Sequence, residues 1–248
     1  MNPIYDQIGI NYSGNRCTDP KIAEQLFSKL KGAKRIVNIG AGTGSYEPES
    51  VEVVAVEPSS EMIAQRKMDS YPSVQAYAEK LPFEDHSFSH AMTVLSMHHW
   101  ENRAQAFREI NRVITEKFIA LTWNPASDPF WLTRDYFPEI YEMDLNIFPK
   151  MEEFTKHFNE VEVSSLMVPD DCKDGFLSTF WKRPQAYLDE QVRQSMSAFA
   201  KIGDYSDRLE KLKIDLQSGT WKERNQNILD KTALDMGYVI VSAKVKKI

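Results

Sequence analysis

Three glycines and one carboxylate have the spacing of a nucleotide-binding turn. Gly40, Gly42 and Gly44 form a G-x-G-x-G turn after the predicted strand 35–39, and Glu57 ends the next apolar run. Glycine lets the backbone turn sharply and lets a ligand lie against it. A carboxylate at the tip of the following strand can accept hydrogen bonds from both hydroxyls of a ribose. The pattern therefore predicts a site for the adenosine half of a cofactor.

The glycine spacing also discriminates between two adenosine cofactors. A dinucleotide turn has the pattern G-x-G-x-x-G, and Ser45 stands where its last glycine would fall. The chain has no recognisable Tyr-x-x-x-Lys set for hydride transfer. The turn thus favours S-adenosylmethionine, with S-adenosylhomocysteine as its product. A nicotinamide oxidoreductase is the disfavoured alternative.

The elements that must position this turn follow from the apolar pattern. Apolar runs predict strands at 35–39, 51–56, 74–78, 88–96, 118–123, 161–168 and 233–243. Helical spacing predicts helices at 20–30, 61–68, 101–114, 130–144, 149–158, 174–181, 187–200 and 206–216. After Gly44 there is room for barely one helical turn, because Pro48 is tolerated only in a first turn. The order predicts an α/β, Rossmann-like, doubly wound sheet with helices on both faces.

Composition limits the class of protein. The 248 residues suffice for one large α/β domain, and 42% hydrophobic residues can build its core. The net charge of -6 and the lack of a long basic run argue against nucleic acid as a partner. No apolar run is long enough for a membrane helix, and the N-terminal residues do not resemble a secretion signal. The Cys and His residues do not have the spacing of a zinc site. We expect a cytoplasmic chain without a metal or a membrane partner.

Four longer motifs, between about Ile36 and Thr122, make the chain resemble a known family. They are V-N-I-G-A-G-T-G, V-A-V-E-P-S, A-E-K-L-P-F-E-D-H-S-F and L-S-M-H-H-W. Together they resemble the class I S-adenosylmethionine-dependent methyltransferases of the small-molecule type, and residues 171–189 look like a bacterial subgroup of unknown substrate. The resemblance implies a seven-stranded, mostly parallel sheet with an antiparallel last strand.

We expect a single methyltransferase domain over residues 1–248. Its cofactor-binding core would span 16–123. A mostly helical substrate cap, with one core strand at 161–168, would span 124–232.

The resemblance and the predicted placement together define a cofactor-binding set. Pro58 and Met62 are placed to pack on adenine, with the Ala78 amide and Glu79 reading its edge. Tyr12 and Arg16 resemble a pair that closes over the methionine part, where Arg16 would bind the carboxylate. A surface charge for Arg16 and a solvated loop carboxylate for Glu79 are the alternatives. The full set is Tyr12, Arg16, Asn38, Gly40, Ala41, Gly42, Gly44, Glu57, Pro58, Met62, Ala78, Glu79 and Leu95.

The chain departs from the family pattern at three places. Asn38 stands where the family has Asp or Glu, so that a carbonyl replaces a carboxylate near the cofactor's ammonium group. The helix after Gly44 is about a turn shorter than usual. Tyr77 replaces the acidic or amide residue that often reads the adenine amine. These departures leave open how tightly the turn holds the methionine end.

His98 and His99 are the candidate catalytic residues. They follow the fourth strand, at the edge of the sheet where ligands bind. The implied reaction is in-line displacement at a sulfonium methyl, for which alignment supplies most of the catalysis and a base is needed only by a protic acceptor. Each histidine could act as that base, line the pocket or be structural. By resemblance we prefer His99 as the base.

Aromatic residues after the fifth strand could line an acceptor pocket or belong to the core. They are Trp123, Phe130, Trp131, Tyr136, Phe176 and Trp181. If several face the cleft, the acceptor is a small, partly apolar or aromatic molecule. Asp135, Asp171 and Asp174 could bind its polar groups, although we expect them at the surface.

Two other functions remain as alternatives. One is a module that binds the cofactor without catalysis. The other is a protein or RNA methyltransferase, which the acidic charge disfavours. Asn124-Pro125 is expected to be a turn, because Ala126 and Ser127 replace the last two residues of the N-P-P-[YF] motif. The acceptor, the methylated atom and the oligomeric state are left open by the sequence.

Overall fold

The computed structural model describes residues 16–246, so the predicted contact of Tyr12 lies outside the described residues. A seven-stranded sheet forms the centre of the molecule. Its strands are β1 (Arg35–Ile39), β2 (Glu52–Glu57), β3 (Ser73–Gln75), β4 (Phe88–Val94), β5 (Ile114–Trp123), β6 (Asn159–Pro169) and β7 (Ala233–Lys244).

The order across the sheet is β3-β2-β1-β4-β5-β7-β6. Strands β1 to β5 are parallel, and β7 is antiparallel to both of its neighbours, β5 and β6. The order reverses beside β1, and such a switch point is where α/β sheets bind ligands, beyond the carboxyl ends of the strands. The predicted fold class, with its antiparallel last strand, is confirmed.

Ten α-helices lie in the described range. They are α1 (Pro20–Phe27), α2 (Ser60–Ala64), α3 (Arg103–Val113), α4 (Trp131–Asp135), α5 (Pro138–Ile147), α6 (Met151–His157), α7 (Glu190–Gln194), α8 (Ser197–Lys201), α9 (Ser206–Ser218) and α10 (Thr220–Arg224). Short 3-10 turns occur at Ser28–Leu30, Met97–His99, Pro184–Leu188 and Gln226–Ile228.

The predicted helical turn after Gly44 is wrong, because residues 40–51 form turns only. Tyr46 has a positive φ of 59°, which an α-helix does not allow, and its amide donates to Thr18 Oγ1 at 2.9 Å. The predicted helix at 174–181 is also wrong. Its backbone forms successive tight turns, in which the amide of Thr179 donates to the carbonyl of Phe176 and the amide of Trp181 donates to the carbonyl of Ser178.

Two longer predicted helices are each divided. Pro138 starts α5 and separates it from α4, since proline cannot continue a helix from the preceding turn. The segment predicted as a helix at 187–200 becomes α7 and α8. Asp189 caps α7 by accepting from the amide of Gln191 at 2.9 Å.

Two apolar cores cover the two faces of the sheet. One contains α3 and α6 residues such as Phe107 and Phe154 against β1, β4 and β5. The other joins α1 to aromatic residues of the 124–232 segment, including Trp131, Trp181 and Trp221. In residues 16–246, no helix is long and apolar enough to span a membrane, and no group of three His, Cys, Asp or Glu could hold a metal.

Candidate cofactor and acceptor sites

The glycine turn lies where β1 ends beside β4. Gly40 has a φ of 68°, and a Cβ added to it would lie 2.5 Å from the Cβ of Ser96. Thr93 of β4 and Ser96, which follows that strand, both donate to the carbonyl of Ile39, at 2.8 and 3.1 Å, and this holds the two strand ends together. A side chain at position 40 would therefore force the strand ends apart. Gly42, with a φ of 53°, lies over the Met62 side chain.

The carboxylate of Glu57 is buried and fixed by two backbone amides. Oε2 accepts from Gly42 at 2.8 Å, and Oε1 accepts from Ser59 at 3.0 Å. Ser59 in turn caps α2 through the amide of Met62. The carboxylate thus links the glycine turn to the start of α2. Its bond to ribose hydroxyls stays a prediction.

The protein itself uses most amides of the turn. Gly40 and Ala41 donate to the carbonyl of Val56, and Gly44 donates to Ala41. Thr43 and Ser45 are the turn residues whose amides have no hydrogen-bond partner among the described residues. Anion binding by this turn therefore depends on these two amides.

Asn38 has one side-chain atom without a hydrogen-bond partner among the described residues. It lines a pocket, here called the cofactor cleft, together with the glycine turn and Val94. Its Nδ2 donates to Glu47 Oε1 at 3.1 Å, while its buried Oδ1 has no partner among the described residues. Glu47 is in turn bound by Arg66 at 2.8 Å, in an ion pair whose side chains are 5% and 3% exposed. An unpaired buried carbonyl is costly and suits an ammonium donor. Together with the glycine cradle, it fits the methionine end of S-adenosylmethionine.

Arg16 joins the start of the described chain to the 172–175 loop. Its Nε donates to Asp174 Oδ1 at 2.7 Å, and Asp174 is completely buried. The Tyr46 hydroxyl donates to Asp174 Oδ2 at 3.0 Å and accepts from the Asp19 amide at 3.3 Å. Burial and the nearby carboxylate raise the pKa of Tyr46, so it remains a neutral donor. The expected surface position of Asp174 is wrong, whereas Asp171 is exposed and pairs with Lys21.

The remaining predicted adenine contacts lie around α2 and the loop after β3. Met62 and Ala78 are buried, Pro58 is half-buried and Tyr77 is exposed. The Oε1 atom of Glu79 accepts from the Asn102 amide at 3.0 Å, beside the start of α3. Glu79 thus has a structural contact besides its predicted role with the adenine amine, which stays a prediction.

The two histidines differ in position. His98 lines a cavity next to the cofactor cleft and stacks on Phe148 with ring centroids 4.5 Å apart. His99 is not among the residues lining that cavity, although its ring is 3.9 Å from that of His98. Burial lowers the pKa of His98 well below its usual value and that of His99 to about 3. Both are therefore neutral, and weakly basic, at neutral pH.

The cavity contains two charged residues that sequence reasoning missed. Asp144 of α5 and Lys201 at the end of α8 both line it. Burial raises the pKa of Asp144 to about 7, and the positive charge of Lys201 only partly opposes this. The residues are 57 positions apart and belong to no motif, so only the folded chain brings them together.

The predicted aromatic lining is partly present. Phe176 faces the cavity, together with Phe148 and Tyr238, which were not predicted. Trp123 and Phe130 line a smaller adjoining cavity. Trp131 and Trp181 belong to the core, and the Trp131 indole donates to the carbonyl of Trp181 at 2.8 Å. Tyr136 also belongs to the core and donates to Asp215.

Comparison with known proteins assigns this chain to one enzyme class. Residues 37–117 match a family model described as a methyltransferase domain. The structure of a putative methyltransferase from an antibiotic biosynthesis pathway of Anabaena variabilis is 30% identical. The match covers 92% of this chain and 98% of that chain, with a TM-score of 0.84.

Two curated relatives match over shorter stretches. The uncharacterized methyltransferase YcgJ of Bacillus subtilis is 27% identical over 66% of this chain and 62% of its own length. The demethylmenaquinone methyltransferase of Chlorobaculum tepidum is 28% identical over 37% of this chain and 42% of its own length. The chain thus spans less than two thirds of either relative. It belongs to the S-adenosylmethionine-dependent methyltransferases of class I.

Proposed function

We propose that the chain transfers a methyl group from S-adenosylmethionine to a small-molecule acceptor by in-line displacement. This proposal is supported by the position of the cofactor cleft next to the acceptor cavity. The cofactor cleft is lined by Asn38, the glycine turn and Val94, and the acceptor cavity by Leu95 and His98. Arg16 lines both. A methyl group held at the end of β4 would therefore face the acceptor.

Each part of the cleft has a role in this proposal. Bound S-adenosylmethionine supplies a methyl group activated by its positive sulfur. Glu57 binds the ribose hydroxyls, the Asn38 Oδ1 atom accepts from the ammonium group, and Arg16 binds the carboxylate. Pro58, Met62, Ala78 and Glu79 surround the adenine. The aromatic cavity excludes water and aligns the acceptor, which supplies most of the catalysis.

Calorimetric titration with S-adenosylhomocysteine tests the cofactor half. We expect S-adenosylhomocysteine to bind without competition from NAD. Glu57→Gln and Arg16→Ala should each lower this affinity by about tenfold or more, because each removes a charge-assisted hydrogen bond. Lys21→Ala is the control, since Lys21 is exposed and its partner Asp171 lies at the surface. Unchanged affinity in Arg16→Ala would remove Arg16 from the site, and no binding to the wild type would refute the function.

Labelled S-adenosylmethionine incubated with a metabolite extract tests the transfer half. We expect label in the small-molecule fraction and none in added RNA or protein. Binding without transfer would indicate a non-catalytic module. The net charge of -6 disfavours RNA as the acceptor, and we propose a cytoplasmic location for the enzyme.

A further inference from the structure

We propose that Asp144 is the general base of this enzyme and that the acceptor is a planar aromatic alcohol, methylated on its hydroxyl oxygen. The inference rests on the proposed function, because it assigns the acceptor in the same cavity. It departs from the sequence-based choice of a histidine.

The position of Asp144 supports this role. It lies on α5 and lines both the acceptor cavity and the smaller cavity adjoining it. No hydrogen bond or ion pair joins the Asp144 carboxylate to a described residue, and the neighbouring Met143, Ile147 and Phe148 are apolar. The side chain is half-buried, and its oxygens keep contact with solvent. The carboxylate can therefore accept a hydrogen bond from a donor on the acceptor.

The groups that face Asp144 favour a neutral acceptor that loses a proton. From the cavity these are Arg16, His98, Lys201 and Tyr238, and from the adjoining cavity Asp128 and Tyr141. Arg16 is neutralised by Asp174, while Lys201 has no ion-pair partner among the described residues. An ammonium acceptor would be repelled by Lys201. A forming oxyanion would be stabilised by it, since a lysine ammonium is a compact donor.

The lining indicates the shape of the acceptor. Phe148, Phe176 and Tyr238 supply aromatic faces, and Leu95, Met196 and Leu177 fill the spaces between them. Such walls suit a flat apolar ring whose single polar edge meets Asp144.

The step balances without any other reactant. The hydroxyl oxygen forms a bond to the methyl carbon, and the carbon–sulfur bond breaks with its electron pair passing to the sulfur. The hydroxyl proton passes to a carboxylate oxygen of Asp144 and from there to solvent. The base is well matched to this task, because its pKa of about 7 lies near the working pH whereas both histidines are much weaker bases.

Labelled methyl transfer to matched probes tests the inference. Para-cresol, para-toluidine and para-thiocresol have one shape but a hydroxyl, an amine and a thiol. We expect transfer to para-cresol. The Asp144→Asn variant should slow this by about 100-fold or more at pH 7, the usual contribution of a general base. With para-nitrophenol, which is far more acidic, the same variant should stay within about fivefold of the wild type because the probe ionises unaided.

The controls separate this inference from the proposed function. Glu142→Gln removes an exposed carboxylate from the same helix and should match the wild type. Carbon-detected NMR of the S-adenosylhomocysteine complex should show one carboxyl, absent in Asp144→Asn, that titrates near pH 7. Equal slowing of Asp144→Asn with both phenols would contradict the assignment of Asp144 as the base. Transfer to the amine or thiol and not to para-cresol would also contradict it. Bound S-adenosylhomocysteine without transfer to any probe would overturn the acceptor class, whereas absence of binding refutes the function itself.

Discussion

Among single residues, Asn38 shows how a departure from the family pattern is accommodated. A carboxylate at this position is usual, yet Glu47 already places one 3.1 Å from the Asn38 amide nitrogen. Asn38→Asp would therefore bring two buried carboxylates together without a donor between them. We expect a loss of about 2 kcal/mol in unfolding free energy and weaker S-adenosylhomocysteine binding, measured by denaturant unfolding and calorimetry.

A double-mutant cycle provides the control for this prediction. In a Glu47→Gln background the residue at 47 can donate to Asp at 38, so the additional cost of Asn38→Asp should fall by about 1 kcal/mol or more. Equal costs in the two backgrounds would show that Glu47 is not the reason for Asn38.

Asp144 should make stability depend on pH. Its folded pKa of about 7 lies above the unfolded value of about 3.9, so the folded state holds the proton more tightly. Stability from this group is complete below pH 4 and is lost as the pH rises to about 7. Relative to the wild type, Asp144→Asn should gain about 2–4 kcal/mol between pH 4 and 8, measured by denaturant unfolding at each pH.

Comparing the two proteins at each pH isolates Asp144 from the histidines. The lowered pKa values of His98 and His99 make both proteins lose stability as the pH falls below about 6.5. Glu142→Gln should run parallel to the wild type throughout. A difference between Asp144→Asn and the wild type that does not change with pH would contradict the raised pKa.

At the level of elements, the segment 16–19 is held by contacts with distant loops. Asp174 is fully buried and binds both Arg16 and the Tyr46 hydroxyl, whereas the Asp171–Lys21 pair is 65% and 60% exposed. Asp174→Asn should cost about 3 kcal/mol, because it removes the charge of a buried carboxylate that binds both the Arg16 guanidinium and the Tyr46 hydroxyl. Asp171→Asn should cost less than about 1 kcal/mol. Equal changes in thermal and denaturant unfolding would show that burial does not govern these two pairs.

The elements that sequence predicted best are those fixed by local pattern. The bounds of β1 are as predicted, and four of its five residues are buried, as in a parallel strand covered on both faces. Helix α1 begins at residue 20 as predicted, and Asp19 caps it through the amides of Lys21 and Ile22. The predicted helix at 174–181 failed because Asp174 bonds to residues far away in the chain, which outweighs helical spacing. The presence of Asp144 and Lys201 in one cavity has no local sequence signal.

Considered as a whole, the molecule should unfold as one unit. The core on one face of the sheet includes Ile22 of α1 and Ile36 of β1 together with Trp131, Trp181 and Trp221 of the 124–232 segment. Because these side chains share one core, the cap has no separate interior to lose first. Tryptophan fluorescence reports mainly on the cap and far-ultraviolet circular dichroism on the whole chain. Their urea transitions should coincide.

Cofactor binding provides a second test of whether the cap and the cofactor cleft unfold together. S-adenosylhomocysteine at 100 times its dissociation constant adds ~2.7 kcal/mol to whatever unfolds together with its site. Both signals should shift to higher urea by the same amount, although the cleft is built mainly from residues before 100 and most tryptophans lie after 120. A ligand-dependent circular dichroism transition with an unshifted fluorescence transition would identify the cap as an independent domain. A common shift would instead show that the cap and the cofactor cleft unfold together.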